Sequence, residues 1–189
     1  MIADAGIRII ARDGVRALTH RAVDREAGLS PGSSSYYVPT RKALIDVIVQ
    51  ALAERSVADA ERGTGTTAHR SGHLPAVDAD ELAASVVDLI EAYASRPTEM
   101  RTRYALLLEL DADDPARAVL SQESPVQQRM LQPVTEALHD LGVADAAAHA
   151  QELFVLADAL LVHRVVNGCD ASSTHAVVSA YLRGIASMR

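Results

Sequence analysis

The chain has 189 residues, 49% of them apolar, which is enough for one compact domain or two small ones. Aromatic side chains make up only 3%, Trp is absent and no alternating apolar-polar runs mark strands, so a β-rich fold is excluded. Ala, Leu, Arg and Glu recur at helical spacing and predict an all-α protein. One cysteine, Cys169, excludes an internal disulfide and a thiolate metal cluster and fits a reducing compartment. No secretory leader or membrane-spanning run is evident, so a cytoplasmic protein without a membrane partner is expected. The net charge of −7 divides unevenly: residues 1–42 carry seven basic and four acidic side chains, a formal +3, leaving −10 for residues 43–189. A basic head on an acidic body suits a molecule that meets phosphates at one end only.

In chain order, a first helix is expected to begin near Met1, with Ala3, Ile7, Ile10 and Ala11 on one face, and to stop at Gly14. Thr19 caps a second helix, in which Val23 and Ala27 share a face, and Gly28 ends it. Ser30 is placed to cap a third through its hydroxyl on the Ser33 amide, with Pro31 at the first helical position. Helix, tight glycine turn and short second helix form the helix-turn-helix arrangement, whose second helix enters the DNA major groove. Pro31, Gly32, Ser33, Ser34 and Ser35 are small, so the backbone can approach base edges, and the hydroxyls can donate or accept there. Tyr36 and Tyr37 carry phenols within reach of phosphates, and Thr19 is a further phosphate contact. Thr40 caps the next helix and Arg41 opens it, where the positive dipole end also attracts phosphate.

The string IIARDGVRALTHRAVDREAGLSPGSSSYYVPTRKAL resembles the DNA-binding region of the tetracycline-repressor-like (TetR) family of one-component regulators, over residues 2 to about 48. The shared positions are an alanine and aliphatic helix, a Gly, Leu-Thr, an apolar residue, Ala-Gly-Leu-Ser, Gly-Ser, Tyr, and basic-x-Ala-Leu. Two positions depart from it: Ser34 stands where the family usually has a buried aliphatic, and Val38 where it usually has Phe. In the resemblance Arg21 faces DNA. The DNA-binding set is therefore Thr19, Arg21, Ser30, Pro31, Gly32, Ser33, Ser35, Tyr36, Tyr37, Thr40 and Arg41.

After Thr40 a long helix shows an apolar stripe of Leu44, Ile45, Ile48, Val49 and Leu52. A glycine, threonine and serine segment from about 63 to 78 reads as a mobile loop, and its His69 and His73 lack a third ligand and a helical setting for metal binding. The next helix has Leu82, Val86, Leu89, Ile90 and Tyr93 spaced for burial and ends at Pro97. Another is capped by Thr98, with Met100, Tyr104, Leu107 and Leu108 inward. One long helix is then expected to run from about 113 to 142, bent or broken at Pro125 and Pro133. In the resemblance this layer forms an effector pocket, which Tyr93, Met100, Tyr104, Leu108, Met130 and Phe154 would line, with Glu109, His139 and His163 as polar candidates. The last two helices are apolar on more than one face and must bury both. Ala146, Ala150, Leu153, Ala157 and Leu160 are expected on one side of the first, with Phe154, Leu161 and Val165 on the other. Val177, Val178, Tyr181, Leu182 and Ile185 do the same in the second, and the resemblance implies that this pair forms a four-helix dimer interface, with Leu182 a candidate at it.

The expected organisation is a helix-turn-helix domain over residues 1–45 and an effector-binding and dimerisation domain over 46–189. The expected function is a homodimeric transcriptional repressor that binds a palindromic operator and is released by a small apolar or amphipathic effector, with no cofactor, no metal and no catalysis. The alternative is a helical small-molecule-binding or hydrolytic protein whose N-terminal motif does not read DNA. Against it, the chain has no Gly-rich phosphate loop and no nucleophile elbow.

Overall fold

The computed structural model describes residues 1–63, 78–121, 125–168 and 171–187. Cys169 and residues 64–77 of the expected loop, with His69 and His73, lie outside them. Among the described residues every regular element is helical: α1 (Ile2–Asp13), a 3-10 turn (Val15–Ala17), α2 (His20–Ala27), α3 (Ser33–Tyr37), α4 (Arg41–Gly63), α5 (Ala79–Ala94), α6 (Pro97–Glu109), α7 (Pro115–Leu120), α8 (Pro125–Asp140), α9 (Ala146–Asn167) and α10 (Ala171–Ala186). The all-α expectation holds. No helix among the described residues is long and apolar enough to cross a membrane. The chain divides into two compact units, Met1–Val57 with Arg96–Pro125, and Ala58–Ser95 with Val126–Arg189. The first unit thus takes in α6 and α7, which lie beyond residue 45, and α4 runs from the first unit into the second.

In the first unit the stripe on α4, Leu44, Ile45, Ile48, Val49 and Leu52, is buried as its spacing requires. It shares one apolar core with Ile7, Ile9 and Ile10 of α1, Leu18, Val23 of α2, Leu106 of α6 and Leu120 of α7. Helices α1 and α4 approach so closely at Gly6 that a Cβ there would fall 2.8 Å from Ile48 Cγ1. Polar groups fix α6 in place. The buried Thr102 hydroxyl lies 2.9 Å from the carbonyls of Ile7 and Thr98, and Arg55 of α4 joins Asp4 of α1 to Glu99 of α6. In the second unit α5 packs on α9 and α10, burying Leu82, Val86 and Ile90 with Leu153, Val178 and Leu182. Arg164 of α9 pairs with Glu91 of α5, and Arg183 of α10 with Asp80 at 2.9 Å.

Several local expectations are corrected. The long helix near 113–142 is two helices, α7 and α8, each starting at a proline, because Pro lacks the N–H that helix interiors need but first turns do not. Pro133 lies inside α8 without ending it. Helix α5 ends at Ala94, just before Pro97, and Pro97 itself occupies the first turn of α6, whose cap residue is Arg96, not Thr98. Leu108 is 87% exposed while Leu106 is fully buried, since two residues along a helix turn the side chain by about 200°. On α9 the buried set is Ala150, Leu153, Leu161 and Val165, drawn from both expected faces, and Leu182 is buried within its own chain.

Candidate nucleic-acid interface

The surface built by α2, α3 and the start of α4 gathers most of the residues that the sequence singled out. Thr19 caps α2, its hydroxyl accepting from the Ala22 amide at 3.2 Å. Gly28 ends α2 in the left-handed region at φ 66°, where a side chain would be strained, and the chain reverses there. Thr40 caps α4 by accepting from the Ala43 amide at 3.0 Å.

The entry to α3 differs from expectation. Its cap residue is Gly32, at φ 91°, and Pro31 lies in the turn before it. Ser30 contributes its backbone carbonyl, not its hydroxyl, to the Ser33 amide at 3.0 Å. The side-chain cap comes instead from Asp24 on α2, which the sequence reading passed over. Its Oδ2 accepts from the Gly32 amide and its Oδ1 from the Ser34 amide, both at 2.8 Å. Asp24 is 3% exposed, and a carboxylate in that position is tolerated because both oxygens are satisfied and it faces the positive end of α3. Hydrogen bonding from Ser34 and then from the Gly32 amide holds its carboxyl below the ordinary range, against burial that pushes it up. Ser34 is itself fully buried, and its hydroxyl donates to the His20 carbonyl at 3.2 Å. His20 Nε2 lies 2.6 Å from the Val38 carbonyl, so the tautomer protonated there donates to it. A signal for Asp24 was present: an acidic residue adjoins the apolar positions Val23 and Ala27, on a helix face too near the core for a solvated charge.

The outer face is open. Thr19, Arg21, Ser30, Pro31, Gly32, Thr40 and Arg41 are exposed, and Ser33 and Ser35 are half-buried. Ser35 donates its hydroxyl to the Gly32 carbonyl at 2.8 Å, which leaves its lone pairs outward. Tyr36 and Tyr37 are 82% and 73% exposed and meet edge to face at 5.1 Å, two aromatic rings that the described residues leave largely uncovered. The cations are not equivalent. Arg8 pairs with Glu26, Arg12 pairs with Glu26 and Asp13, and Arg41 donates to the Val15 carbonyl at 2.8 Å and so also anchors α4 to the 3-10 turn. Arg21 and Arg25 form no ion pair with the described residues and stay available to an anion; Arg25 was not foreseen.

The residues singled out for a pocket fall in both units. Tyr93 of α5 and Met130 of α8 meet, hydroxyl to sulfur at 3.9 Å, and Phe154 of α9 is half-buried in the same unit. Met100 is buried and Tyr104 half-buried on α6, in the first unit. Glu109 pairs with Arg16 at 3.2 Å, and His163 is exposed on α9. His139 lies on an open cleft of about 760 Å³ between the end of α8 and the start of α9, lined also by Thr135, Glu136, Asp140 and Asp145. No cluster of three potential metal ligands occurs among the described residues.

Residues 77–188 match a family model described as the tetracyclin repressor-like C-terminal domain. The whole fold is similar to a crystal structure of a transcriptional regulator from Rhodococcus sp. Rha1, with a TM-score of 0.75 at 18% identity, over 97% of this chain and 93% of that one. It is similar also to a TetR-family transcriptional regulator from Streptomyces coelicolor, with a TM-score of 0.71 at 17% identity over 98% and 92% of the two chains. A third likeness is to the fatty acid degradation regulator FadR from Bacillus halodurans, with a TM-score of 0.62 at 17% identity over 100% and 97%. No curated protein matches the chain.

The Asp24 clamp makes stability depend on pH. The ordinary carboxyl value is 3.8 and the folded one is lower, so the stabilisation is complete above the ordinary value and is lost as pH falls through the folded one. Asn at this position keeps one acceptor where two amides each need one. Asp24→Asn should therefore melt several degrees below the wild type at pH 7, with the difference shrinking as the solution is acidified below about pH 4. Thermal melts followed by circular dichroism check this, and a difference that does not narrow in acid would contradict the clamp.

Proposed function

This chain belongs to the tetracycline-repressor-like (TetR) family of transcriptional regulators, and on that premise we propose that it is a cytoplasmic repressor. It binds a palindromic operator as a homodimer and leaves it when a small apolar or amphipathic effector enters the second unit. The observation that carries the reading is the open face of α2 and α3. There unpaired arginines, two bare phenols and half-buried serines lie together, with the buried side already filled by the chain's own core. Thr19, Arg21, Tyr36, Tyr37, Thr40 and Arg41 supply phosphate contacts, Arg25 joins them, and Ser30, Pro31, Gly32, Ser33 and Ser35 are set against base edges.

Support for the dimer comes from one seam on each of the last two helices. Ala148, Glu152, Val155, Ala159, His163 and Val166 are all exposed on α9, at steps of three or four. On α10 Ser173, Val177, Ala180 and Gly184 repeat the pattern. Val155, Val166 and Val177 are 52%, 66% and 41% exposed, and they add apolar surface to these seams. Tyr93, Met130 and Phe154 would supply the apolar wall of the effector site. A tenfold release from DNA needs about 1.4 kcal/mol of coupling between effector and operator, and the same factor must weaken the effector when operator is bound.

Fluorescence anisotropy on labelled duplexes at several salt concentrations tests the reading. Arg21→Ala should weaken operator and unrelated duplexes alike and flatten the slope of log affinity against log salt by about 0.9. A wild-type protein that binds no duplex, even at low salt, would return the chain to the helical ligand-binding or hydrolytic alternative. For assembly, Val177→Glu should give a monomer in light scattering with its helix content intact. An unchanged dimer, or a monomeric wild type at concentrations where it binds operator, would remove the seam from the account.

A further inference from the structure

Helix α3 has five residues, fewer than two turns, and a helix so short does not persist on its own hydrogen bonds. A polar path ties it to α2 at its entry, its middle and its exit. At the entry each oxygen of the Asp24 carboxylate holds one amide, of Gly32 and of Ser34. In the middle the buried Ser34 hydroxyl holds the His20 carbonyl, and just past the exit His20 reaches the Val38 carbonyl. Each of these bonds prefers one length and one direction, whereas an aliphatic side chain at residue 34 would hold α3 by apolar contact, which has no direction. Asp24 and Ser34 are 3% and 0% exposed, so neither can reach DNA itself. Ser33 and Ser35 flank Ser34 in α3 and are half-buried, each turned about 100° from it, so the rotation of α3 about the Ser34 anchor sets where both point.

We infer that Asp24 and Ser34 are positioning residues for base reading, fixing the rotation and pitch of α3 and thereby choosing which base edges Ser33 and Ser35 meet. The inference rests on the operator-reading role proposed above. A shift of α3 on α2 would stretch bonds to base edges, which weaken steeply with distance and angle, but would leave phosphate contacts made by long, adaptable side chains. Specificity should therefore depend on the clamp more than general DNA affinity does.

The test enriches duplexes from a random pool with the full-length wild type, with Asp24→Asn and with the double variant Asp24→Ala/Ser34→Leu, which exchanges the polar pair for an apolar one. Affinities for the wild-type-enriched duplex and for a scrambled one of equal length are then measured well below each melting temperature. Asp24→Asn should lose about tenfold on the enriched duplex, the scale of one misread base pair, while its scrambled-duplex affinity and salt slope stay at wild-type values. The double variant should enrich different bases at an unchanged half-site spacing. Wild-type sequence preference in both variants, or an equal loss on both duplexes that follows the unfolded fraction, would overturn the inference and leave the clamp a stabilising role only. Should Asp24→Asn not fold, Ser34→Ala, which removes only the hydroxyl, is read in its place: a smaller loss confined to the enriched duplex supports the inference, and none overturns it. A wild type with no preference among duplexes defeats the operator reading itself, and the wild-type selection alone reveals that outcome.

Discussion

The buried Asp24 carboxylate, shared between the amides of Gly32 and Ser34, is the constraint on which the presentation of the candidate DNA surface depends. A negative charge taken out of water is costly, and it is held here because α3 offers it two N–H groups that have no other partner at the start of a helix. The relation is mutual: the charge needs the helix end, and a five-residue helix needs an external cap. An aliphatic residue at 34 would hold α3 through contact area alone, which specifies distance but not rotation. The polar pair fixes the short helix more narrowly, and it ties that geometry to the ionised state of one side chain.

Around this clamp the first unit is stiffened from several directions. Glu26 pairs with both Arg8 and Arg12 between α1 and α2, and those cations hold its carboxyl below the ordinary range, Arg8 before Arg12. Arg55 spans α1 and α6 through Asp4 and Glu99, and Arg41 holds the Val15 carbonyl. Of the seven basic residues in the first 42, several are thus occupied within the fold, and the net positive charge of the head overstates what is free for phosphate. Arg21 and Arg25 are exposed and form no ion pair with the described residues. The second unit differs: its buried face is filled by α5, α9 and α10, and Val155 and Val166 of α9 and Val177 of α10 are left exposed.

Helix identity and order were legible in the sequence because apolar spacing is a property of each segment alone. The stripe on α4 and the caps at Thr19 and Thr40 needed no tertiary information, and the same local logic located the exposed residues around α3. The errors arose where the deciding partner was distant along the chain. Ser30 looked like the cap of α3 from its neighbours, but a carboxylate eight to ten residues earlier had the better geometry. Leu108 and Leu106 are equally apolar, and only the direction of the surrounding helices decides which turns inward. Leu182 had the composition of an interface residue but is used by its own chain's core. Pro97 was read as a stop and Pro125 as a bend or break within one long helix, whereas each opens a helix of its own, a choice that depends on whether a helix follows.

The central claim is that the Asp24 carboxylate is ionised, buried and bonded to the start of α3. Carbon-13 NMR of its side-chain carboxyl, followed through an acid titration together with the Gly32 and Ser34 amide signals, addresses it most directly. The account predicts that the carboxyl titrates below the ordinary value of 3.8 and that both amides shift in the same step. A carboxyl that titrates at or above that value, with the two amide signals indifferent to it, would contradict the account.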